Sequence, residues 1–99
     1  MMAVIWLKEA VEDLQEVGRT IAEDDPAAAY RVLTKIEASA NSLERHPELG
    51  RSGRVPRTRE LVIAGLPYIL PYSIKKKEVR ILAVMHTSRK WPDTFTNLQ

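Results

Sequence analysis

Apolar residues spaced by three and four positions predict two amphipathic helices in the first half of the chain. The first apolar stripe comprises Leu7, Ala10, Val11, Leu14, Val17 and Ile21. The second comprises Ala29, Leu33, Ile36, Ala40 and Leu43, and its small alanines favour close helix packing. Asp25 is placed to cap the second helix, with Pro26 at its first position, and Pro47 marks its end. A helical hairpin is therefore predicted.

Short runs rich in β-branched and aromatic residues predict a sheet that draws on both ends of the chain. Residues 4–6 predict a first strand, which must pair elsewhere to be stable. Residues 60–64, 68–74 and 79–86, separated by turn sequences, predict an antiparallel meander. Pro71 lacks an N–H donor, so we expect a gap or a bulge there, or an N position that points away from any neighbour. Residues 51–58 predict a basic loop.

The element order β-α-α-β-β-β predicts an α+β fold, with the N-terminal helical hairpin packed on one face of a small antiparallel sheet. The other sheet face is then expected to be free for function. The 99 residues suit one domain, residues 1–99. The sequence has no cysteine, which excludes disulfides and thiolate chemistry, and its two histidines lead us to expect no metal site and no cofactor.

Charge is distributed unevenly along the chain. Residues 1–50 carry five basic and ten acidic side chains, a net charge of −5, whereas residues 51–99 carry ten basic and three acidic ones, a net charge of +7. A cationic half attracts phosphate backbones or an acidic protein segment. The alternative is a solvated basic face with no partner.

Hydropathy gives an expectation about location. The longest mostly apolar stretch, residues 61–72, is interrupted by Gly65, Pro67 and Pro71 and is shorter than the ~20 residues that a membrane-spanning helix needs. The N-terminal residues lack the charged start and apolar run of a signal peptide. We therefore expect the protein to be cytoplasmic.

Basic residues around the predicted meander are the candidates for binding nucleic acid or a protein target. Nucleotide-binding loops, zinc patterns and hydrolase motifs do not occur in the sequence, and the carboxylates of the first helix are expected to face solvent. We hypothesise that the basic side chains converge on a phosphate. They are Arg57, Arg59, Lys75, Lys76, Lys77, Arg80, Arg89 and Lys90. For the three lysines the alternative is an ordinary solvated turn.

Two further side chains near the C-terminus have candidate roles. Histidine gains and loses a proton near neutral pH, so His86 is the candidate for moving a proton. The alternative is a strand-end histidine that is hydrogen-bonded to the backbone. Trp91 is a candidate for stacking on a base, and the alternative is that it fills a gap between the C-terminal segment and the helices.

Several runs in the C-terminal half together resemble a known family. They are residues 47–54, 58–62, 68–72 and 81–92, the last of which contains the pattern His86-x-x-Arg89-x-Trp91-Pro92. These runs and their spacing resemble the RelE/ParE superfamily of type II toxins over nearly the whole chain. The resemblance implies a bacterial growth inhibitor, encoded beside an antitoxin whose extended segment wraps and neutralises it. The cationic half suits an acidic antitoxin segment.

The resemblance also bears on the target. RelE-like members cleave ribosome-bound mRNA, whereas ParE-like members poison DNA gyrase. RelE-like nucleases commonly carry an arginine on the middle meander strand, and Ile69 stands at the matching position of this sequence. These nucleases also often have a tyrosine near the C-terminus, where this chain has Trp91 and Phe95. The target is therefore expected to be gyrase.

Three hypotheses remain at this point. The first is a ParE-like toxin that acts by binding gyrase through its basic face. The second is a metal-independent ribonuclease acting on ribosome-bound mRNA, in which His86 and Arg89 are catalytic. The third is a basic binding module without toxicity.

Overall fold

The computed structural model describes residues 1–95, in which two helices and six short strands form two layers. In chain order the elements are β1 (Ala3–Trp6), α1 (Lys8–Ala22), α2 (Pro26–Asn41), a 3-10 turn (Ser42–Glu44), β2 (Arg51–Ser52), β3 (Arg59–Val62), β4 (Tyr68–Lys75), β5 (Glu78–Ile81) and β6 (Met85–His86). None of the helices in this part of the chain is long and apolar enough to cross a membrane. The α+β prediction is confirmed.

The sheet is mixed rather than purely antiparallel. Its strands lie in the order β1-β5-β4-β3-β2, and β6 pairs with the start of β4. The meander β3-β4-β5 is antiparallel as predicted, but β1 pairs with β5 in parallel. The long connection that a parallel pair requires runs from β1 through the helical hairpin and then through β2, β3 and β4 to β5. The predicted loop at residues 51–58 begins with β2, whose Arg51 side chain contacts the buried Glu60 carboxylate at 2.6 Å.

The two helices begin and pack as their sequences predict. The Asp25 carboxylate accepts a hydrogen bond from the Ala28 N–H at 3.1 Å, and Pro26 occupies the first position of α2. The N-cap of α1 is Leu7, which makes no side-chain cap. Their apolar stripes cover one sheet face and form the main core with Leu61, Ile63, Leu70, Tyr72, Val79, Ile81 and Val84.

The predicted last strand is broken by a bulge opposite Pro71. Tyr72 pairs with Ile81 and Ile69 pairs with Met85. Between these pairs β4 contributes two residues, Leu70 and Pro71, whereas the facing chain contributes three, residues 82–84. The Pro71 carbonyl still accepts a hydrogen bond from the Leu82 N–H at 2.9 Å, but the proline cannot return one. The bulge separates β5 from β6 and confirms the expectation at Pro71.

The sheet face away from the helices is partly covered, contrary to the expectation that it would be free. Neighbouring strand residues point to opposite faces, so Ile69 lies on the other side of the sheet from Leu70. Ile69 belongs to a second apolar cluster with Val55, Ala83, Met85 and Trp91, against which Phe95 packs. The loop after β2 and the C-terminal segment therefore fold over this face. We call this group the second core.

Candidate functional site

The candidate basic residues separate into two groups instead of converging on one site. Tyr68 at the start of β4 pairs with His86, whereas Lys75 ends the same strand. Seven residues of extended chain span roughly 23 Å. The group at one end of the sheet, called the basic end, comprises Arg57, Arg59, Lys75, Lys76 and Lys77; the other, called the cationic segment, is residues 86–90 and contains His86, Arg89 and Lys90.

The basic end is built from a turn and a strand start. Lys76 has a positive φ of 57° in the tight β4–β5 turn, and Arg57 has a φ of 65° just before β3. The Arg59 guanidinium donates to the Gly50 carbonyl at 2.7 Å, so part of its donor capacity is used within the fold. An open cleft of about 430 Å³ is lined by Ser52, Arg57, Thr58, Arg59 and Ile74. This arrangement offers cationic and hydroxyl donors to an anionic partner.

Arg80 belongs to neither group. It lies in the middle of β5, where its neighbour in register on β4 is Ser73. Its guanidinium donates to the Glu78 carboxylate through Nε at 3.0 Å and through Nη2 at 3.0 Å. The charge of Arg80 is therefore at least partly matched within its own strand.

His86 is exposed and is held by its neighbours along the chain. Its Nδ1 lies 3.1 Å from the Ser88 backbone nitrogen, which donates to it, and 2.8 Å from Ser88 Oγ. Its ring packs edge-on against Tyr68, with centroids 5.6 Å apart. Because the lone pair of Nδ1 accepts from the Ser88 N–H, Nε2 is the ring nitrogen available to contact another molecule. This is the backbone-bonded strand-end histidine that the sequence left open as an alternative.

Trp91 is a packing residue. Only 7 % of its surface is exposed, and its ring contacts Phe95 edge-on at a centroid distance of 5.8 Å. A side chain at Gly53 would meet the Trp91 ring at 3.0 Å, so the loop after β2 lies directly on the indole. Base stacking would require Trp91 to leave the second core. The burial of Trp91 therefore favours the packing role over base stacking.

Asp13 joins α1 to the bulge, although the carboxylates of this helix were expected to face solvent. Its Oδ2 accepts a hydrogen bond from the Val84 N–H at 3.1 Å. Residues 82–84 contain the extra residue of the bulge, so this N–H has no strand partner in the β4 ladder, and the carboxylate takes that place. Burial raises the pKa of Asp13, while the Val84 hydrogen bond and the positive charge of Arg89 lower it in part.

Two clefts meet at Asp13 and Arg89, which line both of them. The larger, of about 370 Å³, lies between α1 and the C-terminal segment and includes Lys90. The smaller, of about 180 Å³, includes Glu16, Tyr68 and His86. Sequence reasoning identified His86 and Arg89 but missed Asp13, because its role depends on a bulge 71 residues further along the chain. No sequence signal marks that pairing.

Comparison with known proteins identifies the class to which this fold and surface belong. Residues 4–91 match a family described as ParE toxin of type II toxin-antitoxin system, parDE. The match spans most of the chain, so the protein belongs to the ParE toxin family within the RelE/ParE superfamily. It is a toxin of a type II toxin-antitoxin system.

Individual relatives agree with this assignment. The chain is 46% identical over 90 residues to Y4kP of Sinorhizobium fredii, covering 91% of this chain and 93% of that protein. It is 33% identical over 89 residues to Toxin RelE2 of Caulobacter vibrioides, covering 90% of this chain and 99% of that one. A chain in the solved chromosomal ParDE TA system from P. aeruginosa is 26% identical, with a TM-score of 0.79, covering 87% of this chain and 96% of its own. These findings confirm the resemblance.

Proposed function

We propose that this toxin arrests growth by binding DNA gyrase and that it is not a ribonuclease. The observation that carries the proposal is the burial of Ile69, of which only 6 % is exposed. In the nuclease pattern an arginine occupies this strand position and stabilises charge on the reacting phosphate. Here the side chain is apolar and is covered by Val55, Met85 and Trp91. A substrate phosphate would find neither a cation nor an open surface there.

The surroundings of His86 support the same proposal. A general base must hold its lone pair toward the substrate, but Nδ1 already accepts from the Ser88 N–H at 3.1 Å. The basic end, roughly 23 Å away along β4, is too far to supply cations for the same phosphate. The basic end instead suits a broad anionic protein surface. We assign gyrase binding to the basic end together with Arg89 and Lys90 of the cationic segment, and we expect His86 to be dispensable.

The ribonuclease alternative rests on one specific arrangement. His86 and Arg89 line the same 180 Å³ cleft, and Nε2 of His86 is oriented away from Ser88. Because Nδ1 accepts from Ser88, the neutral ring carries its proton on Nε2. His86 would then protonate the 5′-oxygen that leaves as the 2′-oxygen bonds to the phosphate, while solvent takes the 2′-hydroxyl proton and Arg89 stabilises the charge on the phosphate. In that mechanism the reaction would need no metal ion and no cofactor, and ribosome-bound mRNA would be the substrate.

We further propose how the antitoxin acts and where the toxin works. A type II toxin has a cognate antitoxin, and the +7 charge of residues 51–99 suits an acidic segment of that partner. The basic end offers it cationic side chains beside an open cleft. Since gyrase acts on chromosomal DNA, we expect the toxin to work in the bacterial cytoplasm.

The experiment that tests the proposal follows synthesis of DNA and protein after the toxin alone is induced in bacteria. We expect incorporation of labelled thymidine to fall within minutes, before incorporation of labelled methionine. Purified toxin should inhibit supercoiling of a relaxed plasmid by gyrase. An early fall in methionine incorporation would favour the ribonuclease, and no fall in either would favour the non-toxic binding module.

Matched variants locate the function on the surface. We expect His86→Ala to remain toxic, because its side chain serves only the local strand end. Replacing both Lys75 and Lys77 by Gln should reduce gyrase inhibition, since two charges at the basic end are lost. Arg31→Gln on the outer surface of α2 removes a charge elsewhere and is the control. If His86→Ala abolished mRNA cleavage in cells, the gyrase proposal would be wrong.

A further inference from the structure

We propose that Asp13 is a positioning residue of this toxin: its hydrogen bond to Val84 holds the cationic segment in its active arrangement. The inference rests on the proposed toxin function and adds a residue of α1 to it. The Asp13 carboxylate links α1 to the bulge through its hydrogen bond with the Val84 N–H. Residues 85–90 follow the bulge directly.

The geometry explains why the backbone of the bulge needs a hydrogen bond from outside the sheet. Pro71 cannot donate to the chain opposite it, and the extra residue among residues 82–84 interrupts the ladder between β5 and β6. β6 has two residues in register with β4, Met85 and His86, and one further backbone hydrogen bond follows, from the Thr87 N–H to the Pro67 carbonyl at 2.9 Å. Two residues of ladder hold a strand weakly, so the direction of the chain beyond the bulge depends on what fixes the bulge itself. The Leu82–Pro71 hydrogen bond fixes the first residue of the bulge, and the Asp13–Val84 hydrogen bond fixes the last.

The position of Asp13 relative to Arg89 gives the second part of the argument. Both residues line the clefts on either side of the cationic segment, one of which also contains His86 and the other Lys90. The positive charge of Arg89 attracts the Asp13 carboxylate and lowers its pKa in part. One side chain of α1 therefore holds the backbone just before the segment and lines the same clefts as Arg89.

Charge and hydrogen bonding make different demands on residue 13, and this difference provides the test. Asp13→Asn keeps an oxygen that accepts from the Val84 N–H but removes the negative charge. Asp13→Glu keeps the charge but moves the carboxylate by one methylene. Asp13→Ala removes both the hydrogen-bond acceptor and the charge. Because we propose that the hydrogen bond fixes the segment, we expect Asp13→Asn to preserve the arrangement. We expect Asp13→Glu and Asp13→Ala to lose it.

The first readout is amide hydrogen exchange at Val84, measured by NMR. We expect slow exchange in the native protein and in Asp13→Asn, and exchange about tenfold faster in Asp13→Glu and Asp13→Ala, as loss of one hydrogen bond predicts. Glu12→Ala, an exposed change on the same helix, is the control and should leave Val84 unchanged. Fast exchange of the Val84 amide in Asp13→Asn with slow exchange in Asp13→Glu would mean that the charge of residue 13, and not its hydrogen bond, holds the bulge. That result would overturn the proposal.

The second readout is growth arrest after induction. We expect Asp13→Asn to be as toxic as the native protein and Asp13→Glu to be at least about tenfold weaker by surviving colony count. Tyr72→Phe, which loses two hydrogen bonds in the main core, gives a protein of reduced stability with an intact bulge and should stay toxic. Equal loss of toxicity in Tyr72→Phe and Asp13→Glu would reduce the role of Asp13 to general stability and overturn the proposal.

The two readouts separate this inference from the proposed function. If Asp13→Ala does not fold, the Asn and Glu variants still differ in hydrogen bonding and carry the test. If the native chain proved non-toxic, the proposed function would fail while the Val84 exchange pattern would still support or overturn the role of Asp13 in holding the segment. Fast Val84 exchange in the native protein would overturn the inference even if the toxin were fully active.

Discussion

Ile69 and Val62 are cross-strand partners on the same face of the sheet, yet they have opposite surroundings. Ile69 is only 6 % exposed, whereas Val62 is 49 % exposed. The second core covers Ile69 and ends before it reaches Val62. This boundary decides where on this face of the sheet a charged side chain is tolerated.

Ile69→Arg, which introduces the arginine of the nuclease pattern, is expected to destabilise the protein instead of creating a nuclease. An unpaired guanidinium in the second core should cost about 3–5 kcal/mol in the free energy of unfolding. Urea denaturation followed by circular dichroism measures the loss. Val62→Arg is the matched control, and its stability should lie within ~0.5 kcal/mol of the native value. A stable Ile69→Arg variant that cleaves mRNA would contradict both the prediction and the proposed target.

Tyr72→Phe is expected to weaken the connection between the sheet and the turn after α2. The buried Tyr72 hydroxyl donates to the Pro47 carbonyl at 2.7 Å and accepts from the Gly50 N–H at 2.9 Å. Removing it leaves two backbone groups without this partner, at a cost of about 1–3 kcal/mol. Urea midpoints report the change. Tyr30→Phe serves as the control because Tyr30 is 74 % exposed, and equal midpoints for the two variants would refute the prediction.

Gly50→Ala is expected to be among the most damaging small substitutions. An added Cβ would lie 2.6 Å from the Tyr72 ring and 2.7 Å from the Glu60 carbonyl oxygen, and neither group has room to move. Overpacking of this kind costs about 1–3 kcal/mol. Gly18→Ala is the comparison, since its Cβ meets only the flexible end of Leu33 at 2.8 Å and alanine favours a helix. Thermal unfolding should show a larger drop for Gly50→Ala, and the reverse order would contradict the packing argument.

Asp13 is expected to give the protein a distinctive dependence of stability on pH. Its folded pKa is raised from 3.8, chiefly by burial, while Glu9 and Glu12 add to the rise and Arg89 opposes it. The folded state therefore binds the proton more tightly, and the stability that protonated Asp13 contributes is complete below pH 3.8. It is lost as pH rises through the raised folded pKa.

Comparison of variants isolates this effect. Urea unfolding of the native protein and of Asp13→Asn should be measured from about pH 3 to pH 7. We expect the native protein to lose stability relative to Asp13→Asn over the lower part of this range. Asp24→Asn, an exposed change in the turn after α1, should follow the native curve. A native curve that rises relative to Asp13→Asn would mean that the folded pKa is lowered instead.

The sequence by itself determined the elements of this protein and the family to which it belongs. Apolar stripes with helical spacing, the Asp25-Pro26 start of α2 and the β-rich runs are local signals, because each depends on residues within a few positions of one another. Pro71 even marked the site of the bulge, since a missing N–H interrupts a ladder in any arrangement. The motifs of residues 47–92 carried the family resemblance in the same local way.

Only the tertiary structure decided which of these pieces meet. The parallel pairing of β1 with β5, the burial of Ile69 and Trp91, and the separation of the basic end from His86 depend on how the strands are ordered in space. The contact between Asp13 and Val84 joins residues 71 positions apart and exists because a bulge exposes one N–H to one carboxylate. Spacing along a chain cannot encode such a pairing, since it is the free energy of the whole packed arrangement that selects it.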